Sequence, residues 1–377
     1  MLRFLLFDVL LHGYIAVRLI PALPGVLVPA AVGLVVAASA ALMPLGFAAR
    51  RLARQPLADR LAGIGWLAAG LFSSLLVLTL MRDAGLALSA LAGTVGGAAS
   101  WRATAREASA LAVPALAVLL TAVGYFNARR RARVRRVDVP IAGLPAALHG
   151  FTIAQITDLH VGATIKRGYV DRVVDAVNAL SADVIAVTGD LVDGSVRDLS
   201  PHTAPLARLS ARHGAYFVTG NHEYYSGAPA WTAEIRRLGL TVLENEHVVL
   251  RHDAADVVVA GVTDYGAHHY DPALRSDPAA ALRGAPAGAG VKVLLAHQPR
   301  SAFAAAEAGF DLQLSGHTHG GQFLPWNFFV RLQQPFTAGL RRLGSLWVYT
   351  SRGTGYWGPP KRLGAPSEIT HLRLVPA

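Results

Sequence analysis

The chain contains no cysteine among its 377 residues. Disulfide bonds, thiolate nucleophiles, and zinc or iron–sulfur sites with cysteine ligands are therefore excluded. A cysteine-free chain tolerates an oxidising or a reducing compartment, so this absence does not identify where the protein works. Any metal or catalytic site must be built from other side chains.

Acidic residues are scarce in the first third of the chain. Residues 1–137 hold 15 Arg and no Lys against four acids, so the whole net charge of +11 lies there. The remaining residues carry 20 bases and 20 acids. The basic segment is also the most apolar. In membrane proteins, arginines beside apolar segments determine how those segments are oriented across the membrane. A nucleic-acid-binding domain would need its basic face on the folded part, so no nucleic-acid partner is expected.

Four apolar stretches in residues 1–127 are long enough to cross a bilayer as helices, which takes about 20 residues. They lie at residues 4–20, 26–49, 61–81 and 108–126. His12 interrupts the first stretch. A histidine inside a membrane is functional by default, but the sequence gives His12 no evident partner.

The number of spans depends on residues 84–100, which are apolar but short and rich in Gly and Ala. They are either a fifth span or an extension of the third. Arginine clusters at 50–54 and 129–136 favour four spans, because both clusters then lie on one face. The positive-inside rule makes that face cytoplasmic.

Residues 151–377 have the pattern of one α/β domain. Short runs such as FTIAQIT, DVIAVTG and VKVLLA alternate with helical stretches, which is typical of strands buried on both faces. Several strands follow one another without a helix between TVLEN and GVTD, so a mixed sheet is predicted. Residues 128–150, with their run RRRARVRR, are predicted to be a polybasic linker that adheres to anionic lipid.

Five predicted strands end in oxygen and nitrogen donors, within TDLHVG, TGDLVDG, TGNHEYY, AHQP and GHTH. Sites in open α/β sheets form at the carboxyl ends of strands, so these donors are expected to converge. The predicted metal ligands are Asp158, His160, Asp190, Asn221, His297, His317 and His319. Seven donors exceed what one ion binds and suit two ions about 3.5–4 Å apart that share a carboxylate. The mixture of imidazole and carboxylate suits Mn, Fe or Zn better than Ca or Mg.

The ordered motifs DLH, GDLVD, GNHE, AHQP and GHTH resemble those of the calcineurin-like metallophosphoesterase superfamily. The tail SRGTGYWGPPKRLGAPSEI is similar to its bacterial membrane-associated phosphodiesterase branch. That branch resembles UDP-2,3-diacylglucosamine hydrolases of lipid A biosynthesis and transmembrane proteins with a metallophosphoesterase domain. The resemblance covers about residues 150–377. It implies a four-layer α/β/β/α sandwich of two mixed sheets.

The resemblance also implies a role for each donor. One ion would be held by Asp158, His160, Asp190 and His319. The other would be held by Asp190 as the bridge, Asn221, His297 and His317. His222 would lie beyond the ions, where an imidazole can stabilise the transition state or protonate the leaving oxygen. The nucleophile would be a metal-bridging hydroxide, and Mn is the preferred metal.

The predicted function is that of a membrane-anchored phosphoesterase with two metal ions, which cleaves a phosphodiester or pyrophosphate bond. A lipid-linked substrate such as UDP-2,3-diacylglucosamine and a bacterial inner membrane with a cytoplasmic catalytic domain are expected. One alternative is a phosphatase for soluble nucleotides or phosphoproteins. Another is a transport or sensory protein with a regulatory phosphoesterase domain. Its mark would be paired polar residues inside the spans or internal repeats, and neither is evident in the sequence. A catalytically inactive metal-binding module would need a missing ligand.

Five further residues have weaker signals. Asp193 and Glu223 lie beside predicted ligands and are expected to position them rather than react. His268 and His269 could line a substrate cleft or be ordinary surface histidines. Arg352 could bind a phosphate through its planar fork or form an ordinary ion pair.

Overall fold

The computed structural model describes residues 2–93 and 99–377. These residues form two compact units. Residues up to Arg129 form a helical unit together with Gly358–Leu363, and Arg130–Trp357 form an α/β unit together with Gly364–Ala377.

The described residues of the helical unit form five α-helices. They are α1 (Leu2–Leu19), α2 (Leu27–Leu42), α3 (Leu45–Leu52), α4 (Leu57–Gly93) and α5 (Ala99–Arg129). Within the described residues, four stretches are long and apolar enough to cross a membrane, namely Leu2–Ala22, Leu27–Ala49, Leu57–Leu91 and Trp101–Arg129. The protein is therefore a membrane protein with an N-terminal transmembrane region.

The third of these stretches is longer than the predicted span at 61–81, because α4 continues without a break to Gly93. The first ten residues of the ambiguous 84–100 stretch therefore extend the third helix. Residues 94–98 lie outside the described residues.

The long helices of this unit carry apolar side chains on their outer as well as their inner surfaces, as expected of helices that meet lipid. Ile15, Leu19, Val36, Leu75 and Val113 are buried in a shared core. Other leucines, valines and phenylalanines of the same helices are exposed on the outer surface. Only part of the apolar surface of each helix is thus buried against other helices.

The structure gives His12 partners that were not evident from the sequence. His12 Nδ1 lies 2.7 Å from Asp8 Oδ1, one helical turn earlier, and its Nε2 lies 3.1 Å from Ser39 Oγ on α2. The imidazole also stacks on Phe72 with 4.4 Å between ring centroids. Spacing by four residues puts Asp8 and His12 on one helix face, a signal that was available in the sequence. The contact with Ser39 depends on how the helices pack.

The α/β unit contains twelve strands. They are β1 (Arg133–Ile141), β2 (Thr152–Ile156), β3 (Val184–Thr188), β4 (Ala215–Val218), β5 (Thr241–Val242), β6 (Glu246–His252), β7 (Ala255–Gly261), β8 (Val291–Leu295), β9 (Leu312–Ser315), β10 (Gly339–Leu343), β11 (Leu346–Thr350) and β12 (Glu368–Pro376). One sheet has the order β1-β12-β2-β3-β4-β5 and the other β10-β11-β9-β8-β7-β6. Each sheet combines parallel and antiparallel pairs. The predicted fold of two mixed sheets with helices is confirmed.

Nine residues of the predicted linker at 128–150 belong to the first sheet. Arg133–Ile141 form β1, which pairs in parallel with β12. The arginine side chains at 133 and 135 are exposed, while Val139 and Ile141 are buried. The run of arginines obscured the alternation of a strand at a sheet edge, where one face meets solvent.

The two sheets face each other across one apolar core. Val184 and Ala186 of β3 lie in that core with Val257 and Val293 of the second sheet. Ile185, on the opposite face of β3, is fully buried as well, so the strand is covered on both sides.

Seven helices accompany the sheets. They are α6 (Arg167–Asn178), α7 (Val196–Thr203), α8 (Asn221–Ser226), α9 (Ala228–Arg237), α10 (Pro278–Ala281), α11 (Ala302–Ala308) and α12 (Trp326–Phe329). In α6 the apolar positions Val170, Val173, Val174 and Val177 are buried, as their spacing predicts. The helices thus add layers to the sheets, and the loops between strands and helices remain free to build a site.

Substitution of Gly261 by alanine is expected to destabilise the α/β unit by about 1–3 kcal/mol, because the added methyl overpacks the core. A Cβ at Gly261 would lie 2.4 Å from Leu243 Cβ and 2.5 Å from Val218 Cγ1. Thermal unfolding of the purified full chain should show a lower Tm. Gly288→Ala is the control, since nothing lies within 4 Å of its Cβ position. Equal Tm values for the two variants would contradict the packing described for β7.

Candidate metal centre

The predicted ligands lie on loops that follow five strands of the two sheets. Asp158 and His160 follow β2, Asp190 follows β3, and Asn221 begins α8 directly after β4. His297 follows β8, and the pair His317 and His319 follows β9. Loops at the carboxyl ends of neighbouring strands meet at one edge of a sheet. Here the loops of both facing sheets supply side chains to one region.

The first cluster of ligand atoms comes from β2 and β9. Asp158, His160 and His319 each place one ligand atom within 4.8 Å of the others. His160 Nε2 lies 3.1 Å from His319 Nε2, which in turn lies 3.4 Å from Asp158 Oδ1. All three residues are buried. This spacing is suited to one small cation.

The second cluster comes from β3, β8 and β9. Asp190, His297 and His317 also place ligand atoms within 4.8 Å of one another. His297 Nε2 lies 3.2 Å from Asp190 Oδ2 and 3.3 Å from His317 Nδ1. His160 Nε2 of the first cluster lies 3.8 Å from the same Asp190 oxygen. Asp190 is therefore located between the two clusters.

Asn221 contributes a buried oxygen that has no hydrogen-bond partner among the described residues. A buried carbonyl oxygen without a partner costs about 1–3 kcal/mol. Native proteins leave few such atoms, and each calls for an explanation such as an ion. The orphaned Oδ1 atom therefore fits a ligand for a cation.

Hydrogen bonds fix which imidazole nitrogens point into the clusters. His297 Nδ1 donates to the carbonyl oxygen of Thr188 at 2.8 Å, and His160 Nδ1 donates to Asp193 Oδ1 at 3.1 Å. In both rings Nε2 remains directed at the other ligand atoms. Partners of this kind orient metal-binding histidines and set their tautomer.

The backbone at this edge is strained. Asp158, His160, Asp190, His317 and His319 all have φ between 50° and 69°. Non-glycine residues rarely adopt this left-handed region. Such conformations concentrate at functional sites, where the surrounding structure holds them. Five of the seven predicted ligands thus have strained backbone conformations. These conformations orient the side chains but lower local stability.

His222 lies beside the clusters and is more exposed than the buried ligands. Its Nδ1 donates to Asp193 Oδ1 at 2.6 Å, and its Nε2 lies 3.9 Å from Asp190 Oδ2. The indole of Trp357 lies edge-on to its ring at 5.7 Å. Asp193 therefore holds both His160 and His222, which is a positioning role.

The buried carboxylates dominate the electrostatics. Burial disfavours the charged form of His297, but Asp190 and Asp158 raise its pKa to about 10. Burial likewise acts on His222, and Asp190 and Asp193 raise its pKa to about 9. Burial and the adjacent His297 lower the pKa of His317 to about 3. The negative charge of the site thus demands positive charge beside it, from protons or from metal ions.

Glu223 connects two ligand loops. It is fully buried and accepts hydrogen bonds from the backbone N–H groups of Gly220, Asp190 and Leu191 at 2.6, 3.0 and 2.7 Å. Burial raises its pKa to about 7. These contacts join the turn after β3 to the start of α8, so Glu223 positions Asp190, one of the predicted ligands.

The weaker substrate candidates are placed differently. His268 Nδ1 lies 3.1 Å from the carbonyl oxygen of Tyr265, and its ring lies 4.0 Å from that of His269. Arg352 Nη1 donates to Glu368 Oε2 at 3.1 Å, so the ion pair considered for it exists. The stem of Arg352 also lies close to Gly320 in the ligand loop. A substrate contact by these residues stays a prediction.

Sequence reasoning missed Gln322 as an organiser of the site's rim. Its side-chain amide donates to the carbonyl oxygen of Trp357 and accepts from the N–H of Trp357, both at 2.9 Å. Gln322 has φ of 57°, just after the turn that holds His319. Trp357 is 44% exposed, so it contributes to the open surface beside His222. The motif GHTHGGQ contains Gln322, but only the fold shows its distant partner.

Residues 151–321 match the family model described as calcineurin-like phosphoesterase. A transmembrane protein with metallophosphoesterase domain from Bos taurus is 41% identical over 280 residues, covering 70% of this chain and 63% of that protein. An uncharacterized metallophosphoesterase from Campylobacter jejuni is 35% identical and covers 70% of this chain and 69% of its own. An uncharacterized metallophosphoesterase from Aquifex aeolicus is 31% identical, and the match covers 69% of this chain and 97% of that protein.

The fold, the donor set and these similarities define the class, a metallophosphoesterase-domain protein with a transmembrane region. The chain belongs to the calcineurin-like metallophosphoesterase family. It spans less than two thirds of the length of the bovine relative.

Replacing Glu223 by glutamine is expected to destabilise the ligand loops. The amide offers one carbonyl oxygen where the carboxylate offered two, so at least one buried N–H loses its partner at about 1–3 kcal/mol. Thermal unfolding of the purified chain should show a lower Tm than for Glu307→Gln, which alters an exposed glutamate on α11. An unchanged Tm in Glu223→Gln would mean that the three hydrogen bonds do not secure these loops.

Proposed function

We propose that this protein hydrolyses a phosphodiester or pyrophosphate bond with two divalent metal ions. The observation that carries the proposal is the pair of buried imidazole–carboxylate clusters with Asp190 between them. The proposed ligands of one ion are Asp158, His160, Asp190 and His319. Those of the other are Asp190, Asn221, His297 and His317.

The side chains present fit such ions. Imidazole nitrogens of different residues face each other at 3.1 and 3.3 Å, a distance that needs a cation or a shared proton between them. The orphaned oxygen of Asn221 provides a further donor. With no thiolate in the chain, Mn, Fe or Zn suits these donors better than Ca or Mg, and Mn is our first choice.

Two ions bound there would supply positive charge for the phosphoryl oxygens and would lower the pKa of a bound water. Positioning and proton transfer are assigned to side chains of the protein. Asp193 holds the His222 ring beside the clusters through a 2.6 Å hydrogen bond. In this position His222 is suited to stabilising charge on the phosphoryl group or protonating the leaving oxygen. Asp193 and Glu223 position the groups that react.

A lipid-linked substrate, such as UDP-2,3-diacylglucosamine, is the proposed physiological class. The transmembrane region tethers the chain to a bilayer, and the neutral charge of residues 138–377 gives no support for a nucleic-acid substrate. The arginine clusters at 50–54 and 129–136 support a cytoplasmic position for the catalytic unit. The membrane we propose is a bacterial inner membrane. Soluble nucleotides and phosphoproteins are the alternative substrates.

The Asp8–His12 pair favours a second candidate function. Paired ionisable residues inside spans mark pathways for ions or protons in transporters and sensors, and His12 is also bound to Ser39. In this candidate the phosphoesterase unit would be regulatory. Its test is His12→Ala in liposomes. Altered ion or proton flux would support this second function. Unchanged flux with full hydrolysis would exclude it and leave the enzymatic function alone.

The substrate class is tested with the purified full chain and Mn²⁺ on a generic diester, a monoester and UDP-2,3-diacylglucosamine. Turnover of the diester or of the lipid-linked pyrophosphate is expected. Turnover of the monoester alone would overturn the assignment of bond type.

The proposed ligands predict the metal content of the protein. Elemental analysis after Mn²⁺ loading should find two ions per chain, and fewer in Asp190→Asn because this variant weakens both sites. Activity should fall with the metal. His149→Ala is the matched control and should retain both ions. His149 is partly buried, and its side chain hydrogen-bonds to the carbonyl oxygen of Leu144. Full metal content in Asp190→Asn would disprove a bridging role.

His222→Ala should keep its metal ions but lose activity. A positioned general acid contributes about 10²–10⁴-fold, so kcat is expected to fall within that range. Elemental analysis and circular dichroism establish that ions and fold are retained. A variant with wild-type kcat would remove His222 from the mechanism, and one without metal would make it a ligand instead.

A further inference from the structure

A patch of apolar side chains covers the surface of the α/β unit just after the ligand loop of β9. The exposed fractions are 44% for Leu324, 43% for Trp326, 62% for Phe328, 53% for Phe329 and 83% for Leu332. We call these five residues the 324–332 patch. Proteins rarely expose so many large apolar side chains together unless a partner or a membrane covers them.

The backbone beneath the patch is held firmly against the ligand loop. A Cβ on Gly321 would lie 2.1 Å from Asn327 Cα, so the turn and α12 are in close contact. Phe323 is buried and forms a β-bridge with Gly364. The side chains of the patch therefore point outward from a fixed support that begins two residues after His319.

The chain segment that contains the patch carries charge of one sign. The sequence has no Asp or Glu between Asp311 and Glu368. Arg331, within the patch, and Arg341 and Arg342 on β10 are exposed. Aromatic side chains with arginines and without acids are typical of segments that lie in a membrane interface and contact anionic headgroups.

We propose that the 324–332 patch inserts into the interface of the bilayer in which the same chain is anchored. Trp326, Phe328 and Phe329 would enter the boundary between headgroups and acyl chains, and Arg331 would pair with lipid phosphates. The patch would thereby bring the loop of His317 and His319 to the height of the headgroups. This last consequence rests on the proposed function, and it makes a phosphoester embedded in the membrane the favoured substrate.

The absence of cysteine allows a direct test by single-cysteine spin labelling. Phe328→Cys and Val249→Cys are labelled with nitroxide in the full chain, reconstituted in liposomes of phosphatidylcholine and phosphatidylglycerol. Val249 is the control, because it is an apolar residue 43% exposed on β6, at the opposite edge of the sheet from β10. Collision with oxygen and with a water-soluble nickel chelate is measured by electron paramagnetic resonance.

The label at 328 should collide more with oxygen than with nickel, and the label at 249 should show the reverse, since oxygen concentrates in the bilayer. Equal, water-like accessibility at both positions would overturn the proposal. So would spin–spin broadening at 328 that disappears on dilution with unlabelled protein, because a second copy would then cover the patch. Neither outcome depends on enzymatic activity.

A second measurement tests the link to the substrate. Phe328→Ser with Phe329→Ser should lower turnover of a liposome-embedded phosphodiester by about tenfold or more, because two large apolar contacts are lost. Turnover of a soluble diester should remain unchanged, and Val249→Ser should change neither. Equal loss on both substrates would contradict the link. Absence of all turnover in the unaltered chain would instead refute the proposed function and leave the labelling result intact.

Discussion

The buried carboxylate of Asp190 is the constraint on which the rest of the site depends. It is 3% exposed and lies between two imidazole clusters, 3.2 Å from His297 Nε2 and 3.8 Å from His160 Nε2. A buried anion must be compensated by nearby positive charge, or it is strongly destabilising. Asp158, also buried, adds a second anion. The pair of carboxylates explains why so many imidazoles converge, and why metal ions are the natural compensation.

The fold satisfies this constraint by opposing two sheets. Loops after β2 and β3 approach from one sheet and loops after β8 and β9 from the other. Left-handed backbone at residues such as Asp158 and His319 turns the side chains inward. Glu223 accepts a hydrogen bond from the backbone of Asp190, and Asp193 accepts one from the side chain of His160, so both carboxylates hold strained loops in place. Rigid strands and strained loops together preorganise the donors for their proposed task.

The sequence was informative where chemistry is local and less so where packing decides. Donors at the ends of apolar runs predicted the loops of the candidate site, and the alternation of runs predicted an α/β domain with a mixed sheet. The sandwich of two sheets was implied by the family resemblance. The strand β1 was hidden by its arginines, and the contact of His12 with Ser39 depends on the packing of α1 against α2. Gln322 and Trp357, which are 35 residues apart, meet only in the folded chain. Apolar residues at 324–332 gave no sequence signal that they face outward.

The central claim is that two cations share Asp190, and electron paramagnetic resonance of the Mn²⁺-loaded protein tests it most directly. Two ions that share a carboxylate at about 3.5–4 Å are exchange-coupled, so the hyperfine splitting should be half that of isolated Mn²⁺. A spectrum with the full splitting of isolated, magnetically independent Mn²⁺ at saturating metal would contradict the claim.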